Sequence, residues 1–268
     1  MRRQSRPARS LLAISPFAHA ACMTDLPRDS AGGSAGAGAG PAAAPAAGPG
    51  AGPAARPEAP VTPRLRGRLH QLAFAASIPA GVALVLQAQT IPARLAAAIY
   101  ATSLAGLYAT SAAYHRGRWS PTTRRRMDQA DHAMIYVLIA GTYTPFVLLA
   151  FDRTWAVVVL GVVWTAAAAG IVVVLWRHRI RVVGITLYLT LGWLGALALP
   201  WLAGRLGAVK LALLLAGGVL YTVGAVVLDR QRPNPSPAVF GYHEVWHGFT
   251  VAAGLCHYTL IWLLVRAG

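Results

Sequence analysis

The 268-residue chain has few cysteines and few charged side chains, and each shortage excludes certain kinds of protein. Two cysteines, Cys22 and Cys256, exclude a disulfide framework and a cysteine-based metal site. Charged residues make up 12% of the chain, although 24 basic against 8 acidic residues give a net charge of +16. A basic protein that binds nucleic acid usually carries a larger charged fraction, so no nucleic-acid partner is expected. Hydrophobic residues make up 56% of the chain, which indicates an integral membrane protein.

The first 62 residues differ from the rest and are predicted to form a disordered tail. Between residues 31 and 60 the chain is almost entirely Gly, Ala and Pro, which cannot bury enough surface to offset the ordering entropy. Upstream, four arginines precede LLAISPFAHAA, a weak match to a secretory signal because the apolar run is short and contains Pro16. Translation from Met23 is an alternative that would remove this segment. The predicted domains are therefore a tail over 1–62 and a transmembrane domain over 63–268.

Beyond the tail, seven uncharged apolar stretches are each about long enough to cross ~30 Å of hydrocarbon, which takes ~20 helical residues. These stretches cover residues 72–89, 95–114, 133–151, 154–176, 182–204, 211–228 and 245–265. They lack the polar face that a helix at the surface of a soluble protein carries. The predicted fold is an all-α membrane protein with seven transmembrane helices.

The distribution of basic residues predicts the orientation, because Lys and Arg accumulate on the cytoplasmic side. With a cytoplasmic N-terminus, 13 of the basic residues beyond residue 62 lie inside and 5 lie outside. The inner set is Arg64, Arg66, Arg68, Arg116, Arg118, Arg124, Arg125, Arg126, Arg177, Arg179, Arg181, Arg230 and Arg232, and the outer set is Arg94, Arg153, Arg205, Lys210 and Arg266. We therefore expect a multi-pass protein of the inner (plasma) membrane with its N-terminus cytoplasmic and its C-terminus outside. This orientation also argues against a cleaved signal.

Polar and ionisable side chains collect at the inner ends of three of these stretches. The second ends in SAAYH with Ser111 and His115, the third opens at Asp131 and His132, and the seventh opens with His243, Glu244 and His247. Ionisable groups in membrane spans are costly and usually functional. Because these ends share one side of the membrane, we expect the polar groups to lie at one depth.

The spacing of the histidines fits a metal site at the cytoplasmic interface. His243 and His247 are four residues apart, as are Ser111 and His115, so each pair shares one helix face. Two imidazoles on one face and one from a facing helix form the three-ligand arrangement of a catalytic zinc.

Simpler explanations exist for several of these residues. A lone histidine near an interface is usually a hydrogen-bonded polar anchor, which is the role expected for His70, His132 and His178. Asp131 can be a favourable anion at a helix N-terminus.

The sequence HEVWH also matches the metalloprotease pattern HExxH, in which Glu is the general base. That protease fold is incompatible with seven spans, so Glu244 is the second candidate for a proton acceptor after Asp131. His257 lies ~15 Å along the helix from His247, too far to bind the same ion.

Taken in order, these motifs resemble the hemolysin III group of bacterial membrane proteins, which is related to the progestin and adipoQ receptors and, more distantly, to alkaline ceramidases. The resemblance lies in SAAYH, in DHAMIYVLIAGTYTPF from Asp131, and in FGYHEVWHGF, and it ends in LCHY around His257. It covers the chain from about residue 64 onward. Ala130 stands where Leu is common in the group, which concerns packing more than chemistry.

The resemblance implies a seven-helix fold and a zinc ion held by His115, His243 and His247. It also implies that Asp131 and Ser111 lie near the metal as catalytic residues. The leading hypothesis is a metal-dependent hydrolase of lipid amide or ester bonds, with membrane lipids or a lipid-like ligand as partners. The alternatives are a pore-forming cytolysin, a receptor-like regulator of membrane state without catalysis, and a proton-coupled transporter. The substrate lipid and the oligomeric state are not predicted.

Overall fold

The computed structural model describes residues 62–177 and 181–267, and these ranges contain seven α-helices. The helices are α1 (Arg68–Gln87), α2 (Ile91–Arg116), α3 (Pro121–Ala150), α4 (Arg153–Arg177), α5 (Arg181–Trp193), α6 (Leu199–Arg230) and α7 (Tyr242–Ala267). The predicted tail up to residue 61, the alternative start at Met23 and the anchor role of His178 lie outside the described residues.

Six of these helices, all except α5, are long and apolar enough to cross a membrane. Large apolar side chains are exposed along their outer faces; Leu72, Leu86 and Trp155 are at least 60% exposed, and Trp176 is 84% exposed. Soluble proteins rarely expose so much contiguous apolar surface. The predicted all-α membrane fold is confirmed, and the chain is a multi-pass membrane protein.

The fifth predicted segment, 182–204, does not form one continuous helix. α5 ends at Trp193, and a 3₁₀ turn over Leu194–Ala198 leads into α6. Pro200 lies in the first turn of α6, where its missing N–H costs no helical hydrogen bond. α6 then passes through a kink at Gly207, whose φ of 71° is a conformation that L side chains rarely adopt. The predicted fifth and sixth segments are therefore separated by a kink and not by a loop.

The hydroxyl of Tyr143 on α3 satisfies backbone groups at the end of α5. It accepts a hydrogen bond from the Gly195 N–H at 2.6 Å and lies 3.1 Å from the Gly192 carbonyl oxygen, to which it donates. Backbone groups inside a bilayer need such internal partners because no water is present to replace them. A contact from α3 thus stabilises the break between α5 and α6.

α3 lies at the centre of the helix bundle and packs against α2, α4, α5, α6 and α7. Its apolar side chains enter three separate clusters of buried residues. Leu138 packs with α1, α2 and α7, Phe146 packs with α4, α6 and α7, and Tyr136 packs with α4 and α5. A polar side chain on the face of α3 that packs against these clusters therefore lies in the interior of the bundle.

α3 begins earlier than the predicted segment 133–151. Ser120 caps it, because its Oγ accepts a hydrogen bond from the Thr123 N–H at 3.3 Å, and Pro121 occupies the first turn. Asp131 therefore lies about three turns inside α3 and does not open it. The explanation of Asp131 as an anion at a helix N-terminus is wrong.

The start of α7 is held by an ion pair that the sequence did not predict. The Arg66 Nε lies 2.8 Å from the Glu244 Oε1, and the Glu244 Oε2 accepts a hydrogen bond from the Gly241 N–H at 2.8 Å. The backbone N–H of Leu65 also donates to the Val239 carbonyl at 3.1 Å. Glu244, the second candidate for a proton acceptor, is therefore engaged in fixing α7 to the segment before α1.

Replacing Arg66 with Met should lower the thermal stability of the protein. The variant leaves the carboxylate of Glu244, which is 1% exposed, without its counter-charge, a change that typically costs about 3–5 kcal/mol. We expect the midpoint of thermal unfolding in detergent to fall by several degrees. Arg68→Met is the matched control, because Arg68 contacts Gln71 at the surface. Equal midpoints for the two variants would contradict the assigned role of the ion pair.

Candidate metal centre

Three histidines from two helices meet at one end of the bundle. His115 lies in the last turn of α2, and His243 and His247 lie in the first two turns of α7. One ring nitrogen from each lies within 4.8 Å of the other two, and the Nε2 atoms of His115 and His243 are 3.1 Å apart. The structure thus brings together the three histidines named from the sequence, and this group can hold a metal ion.

The surroundings of His247 fit a metal ligand. His247 is fully buried, and within the described part of the chain neither of its ring nitrogens has a hydrogen-bond partner. An unsatisfied buried polar group costs about 1–3 kcal/mol. A bond from one of these nitrogens to a metal would satisfy it, so the chemistry of this donor set fits an ion shared by the three imidazoles.

Asp131 and Ser111 lie beside the three histidines without belonging to their group. The Asp131 Oδ2 is 3.7 Å from the His115 Nε2, which is too long for a hydrogen bond. Ser111 is 1% exposed, lies one turn before His115 on α2, and lines the same cavity as Asp131. All five residues named from the sequence are therefore at one end of the bundle, and the carboxylate faces the cavity.

Gly67 holds the turn before α1 against His115. Its φ is 75°, and a Cβ at this position would lie 2.7 Å from the Cβ of His115. The turn can approach α2 this closely only because residue 67 has no side chain. Sequence reasoning missed Gly67, since a glycine between two arginines carries no signal of a distant contact.

Gly67→Ala should therefore disturb both folding and metal binding. A positive φ in a residue other than glycine costs about 1–3 kcal/mol, and the contact with His115 forces that side chain to move. We expect a lower thermal midpoint together with a lower metal content per chain. Gly248→Ala is the control, since Gly248 follows His247 directly and an added Cβ there meets open space. Wild-type midpoint and metal content in Gly67→Ala would refute this role.

His132 fits the expected anchor role, whereas His70 does not. His132 is exposed, and its Nδ1 lies 2.8 Å from the backbone oxygen of Asp128, as an anchor requires. His70, in contrast, is 1% exposed and stacks on His247, with ring centroids 3.8 Å apart and planes at 12°. The position of His70 just before the first apolar segment, at the same end of the bundle as the other histidines, was the only signal for its place in the site.

A cavity lies beside the three clustered histidines. Its polar end is lined by His70, Ser111 and Asp131. From there it follows α3, whose lining residues recur every three or four positions; those residues are Ile135, Leu138, Ile139, Thr142 and Tyr143. From residue 131 to residue 142, α3 rises ~16 Å. The lining is thus mainly apolar, with ionisable side chains and a serine at one end and with Thr142, Tyr143, Thr222 and His257 toward the other.

A second cavity continues from the far end of the first. Both are lined by Thr142, Tyr143 and His257, and the second extends to Phe146 and Leu260. His257 lies where the two cavities meet, with its Nε2 3.4 Å from the Leu214 carbonyl oxygen. It belongs to the cavity wall, away from the three clustered histidines.

Comparison with known proteins places this arrangement in a family. The family model described as Haemolysin-III related matches residues 59–258, a range that contains all five site residues. Hemolysin-3 of Bacillus cereus is 34% identical over 186 residues, which cover 68% of this chain and 82% of that protein. The Hemolysin-3 homolog of Bacillus subtilis (strain 168) is 32% identical over 186 residues, covering 68% and 84%. The Monocyte to macrophage differentiation factor of Homo sapiens is 29% identical over 174 residues, covering 63% and 70%. The chain therefore belongs to the haemolysin-III-related family.

Proposed function

We propose that the protein is a zinc-dependent hydrolase of the inner (plasma) membrane that cleaves the amide or ester bond of a lipid. The observation that carries this proposal is that the three clustered histidines lie next to Asp131 and Ser111, which line one end of a mainly apolar cavity. A lipid has the same division, with a hydrolysable bond near its polar end and an acyl chain beyond it.

The ligand set supports zinc as the metal. Nitrogen ligands at ~2.0–2.1 Å from a tetrahedral zinc are about 3.3 Å apart, close to the 3.1 Å between the Nε2 atoms of His115 and His243. Three protein ligands, with His247 as the third, leave one position for water or substrate, which is typical of catalytic sites. When bound, the zinc would polarise a carbonyl oxygen and make a coordinated water molecule acidic enough to ionise near neutral pH.

Asp131 and Ser111 provide the remaining chemistry. The Asp131 carboxylate, which lines the cavity beside His115, orients the attacking water, and its Oδ2 accepts the proton. The Ser111 hydroxyl donates a hydrogen bond to the carbonyl oxygen as that oxygen gains negative charge. The proton then passes from Asp131 to the departing nitrogen or oxygen, so water and the lipid yield a fatty acid and an amine or alcohol.

The charged surface at this end of the bundle supports a location at the inner leaflet. Arg116, Arg118 and the run Arg124, Arg125 and Arg126 are exposed beside the metal centre. Basic side chains next to a membrane span favour the cytoplasmic side and attract anionic lipid headgroups. A lipid could then present its headgroup linkage to the site while its acyl chain stays at membrane depth.

Hydrolysis of a panel of lipid amides and esters by the purified, zinc-loaded protein tests this function. Thr142→Phe places a ring where the two cavities meet, so we expect it to slow cleavage of long-chain lipids by about tenfold and of short-chain lipids much less. Thr259→Phe is the control, because Thr259 is partly exposed on α7, one turn after the exposed Leu255. Wild-type protein that cleaves no member of the panel, or equal chain-length profiles in the two variants, would contradict the proposal.

The names of the two bacterial relatives favour a second candidate, a pore-forming cytolysin. A receptor-like regulator would bind the same lipid without cleaving it. Dye release from liposomes separates these functions from hydrolysis, since a pore needs no metal chemistry. Release that persists after zinc chelation, in protein without hydrolytic activity, would favour the cytolysin.

A further inference from the structure

His70 is a fourth imidazole at the site, and the proposed hydrolysis assigns it no role. It lies in the first turn of α1 and is 1% exposed. Among the described residues, no group forms a hydrogen bond with either of its ring nitrogens. Since an unsatisfied buried polar group costs about 1–3 kcal/mol, the position of His70 is favourable only if it has a bonding role.

Two neighbouring rings hold the plane of the His70 imidazole. One is His247, stacked at 3.8 Å with the planes nearly parallel, and the other is Tyr108, whose ring centroid is 5.1 Å away and tilted by 53°. Hydrogen bonds of an imidazole lie in the ring plane. Because these contacts fix the ring plane, His70 can offer a ring nitrogen only along its edge, and the residue lines the cavity together with Ser111 and Asp131.

The geometry separates His70 from the metal ligands. In the described part of the chain, the group of mutually close ligand atoms comprises His115, His243 and His247 and does not include His70. A neutral imidazole has one N–H donor that can bond to an oxygen. The surface that faces a bound lipid's polar end therefore combines a carboxylate, a hydroxyl and this N–H.

We propose that His70 is a substrate-binding residue, whose ring N–H donates a hydrogen bond to the carbonyl oxygen of the lipid at the polar end of the cavity. This inference rests on the proposed function, since it assumes that the cavity binds a lipid amide or ester. Stacking on His247 keeps the ring in place, so the proposed substrate-binding residue packs directly against a proposed metal ligand.

Two substitutions separate the N–H group from the aromatic ring. His70→Phe keeps a flat ring against His247 and removes the donor, whereas His70→Ala removes both. We expect His70→Phe to keep the wild-type metal content and to weaken binding of a fatty amide with a fluorescent polyene chain by about tenfold. We expect His70→Ala also to lower metal affinity by about 10–100-fold, the usual effect of losing a residue that orients a ligand. His132→Phe, at an exposed position, is the matched control.

The outcomes are distinct. Unchanged amide binding in His70→Phe would overturn the proposal, and so would loss of metal in that variant, because His70 would then serve the metal itself. If the wild-type protein binds the fluorescent amide and cleaves no lipid, the hydrolase proposal fails. The binding comparison between wild type and His70→Phe still decides the role of His70.

Discussion

Replacing His243 or His247 with Ala is expected to remove the metal from the purified protein. Each histidine supplies one of three close nitrogens, and two imidazoles on their own do not form the three-ligand site of a catalytic zinc. We expect the metal content to fall from one equivalent per chain to below about a tenth. Losing a residue that only supports a ligand already lowers metal affinity by about 10–100-fold, and losing the ligand itself should lower it further. Mass spectrometry of the protein's metal content provides the measurement.

His132→Ala and His115→Ala complete this experiment. His132 is exposed and lies next to Asp131, so its replacement should leave the metal content unchanged. His115→Ala should lose the metal as completely as the two α7 variants, because His115 is the contribution of α2 to the group. A folded His115→Ala protein that keeps a full equivalent of metal would show that the two helices do not share an ion.

Asp131→Asn is expected to keep the metal and to abolish most of the hydrolysis. The amide has nearly the same size as the carboxylate but cannot take up the proton, and loss of a general base typically costs a factor of about 10²–10⁴ in rate. Because the Asp131 Oδ2 is 3.7 Å from the His115 Nε2 and outside the histidine group, metal binding should survive. The kcat is measured on the best lipid substrate at equal metal content.

Asp128→Asn is the matched control for this variant. Asp128 lies almost one turn before Asp131 on α3 and contacts the exposed His132, so its replacement should leave kcat unchanged. Wild-type kcat in Asp131→Asn would remove Asp131 from the mechanism. Loss of the metal in this variant would instead show that Asp131 helps to hold the metal.

The convergence of the histidines was predictable because several constraints act together on a membrane chain. The thickness of the bilayer limits each span to ~20 residues, so the helix ends on one side of the membrane fall at one depth. The four-residue spacing of His243 and His247 then places both on one face of α7. These constraints act on whole helices, so they predict which helix ends meet without any knowledge of individual contacts.

The departures from prediction come from single tertiary contacts. The break between α5 and α6 is supported by the Tyr143 hydroxyl on α3, a partner about 50 positions away that local hydrophobicity does not register. The burial of His70 was also not predictable from local sequence, because the residue on which it stacks, His247, lies far away along the chain. The start of α3 is different, because Ser120 and Pro121 are a local capping signal that lies outside the apolar stretch used to define the span.

X-ray absorption spectroscopy of the purified wild-type protein tests the central claim most directly, because it reports the metal and its ligands together. We predict one zinc per chain with three imidazole nitrogens at ~2.0–2.1 Å and a further nitrogen- or oxygen-type ligand. A protein that binds no metal under conditions in which it is folded, or a zinc bound by fewer than three imidazoles, would contradict the assignment of His115, His243 and His247.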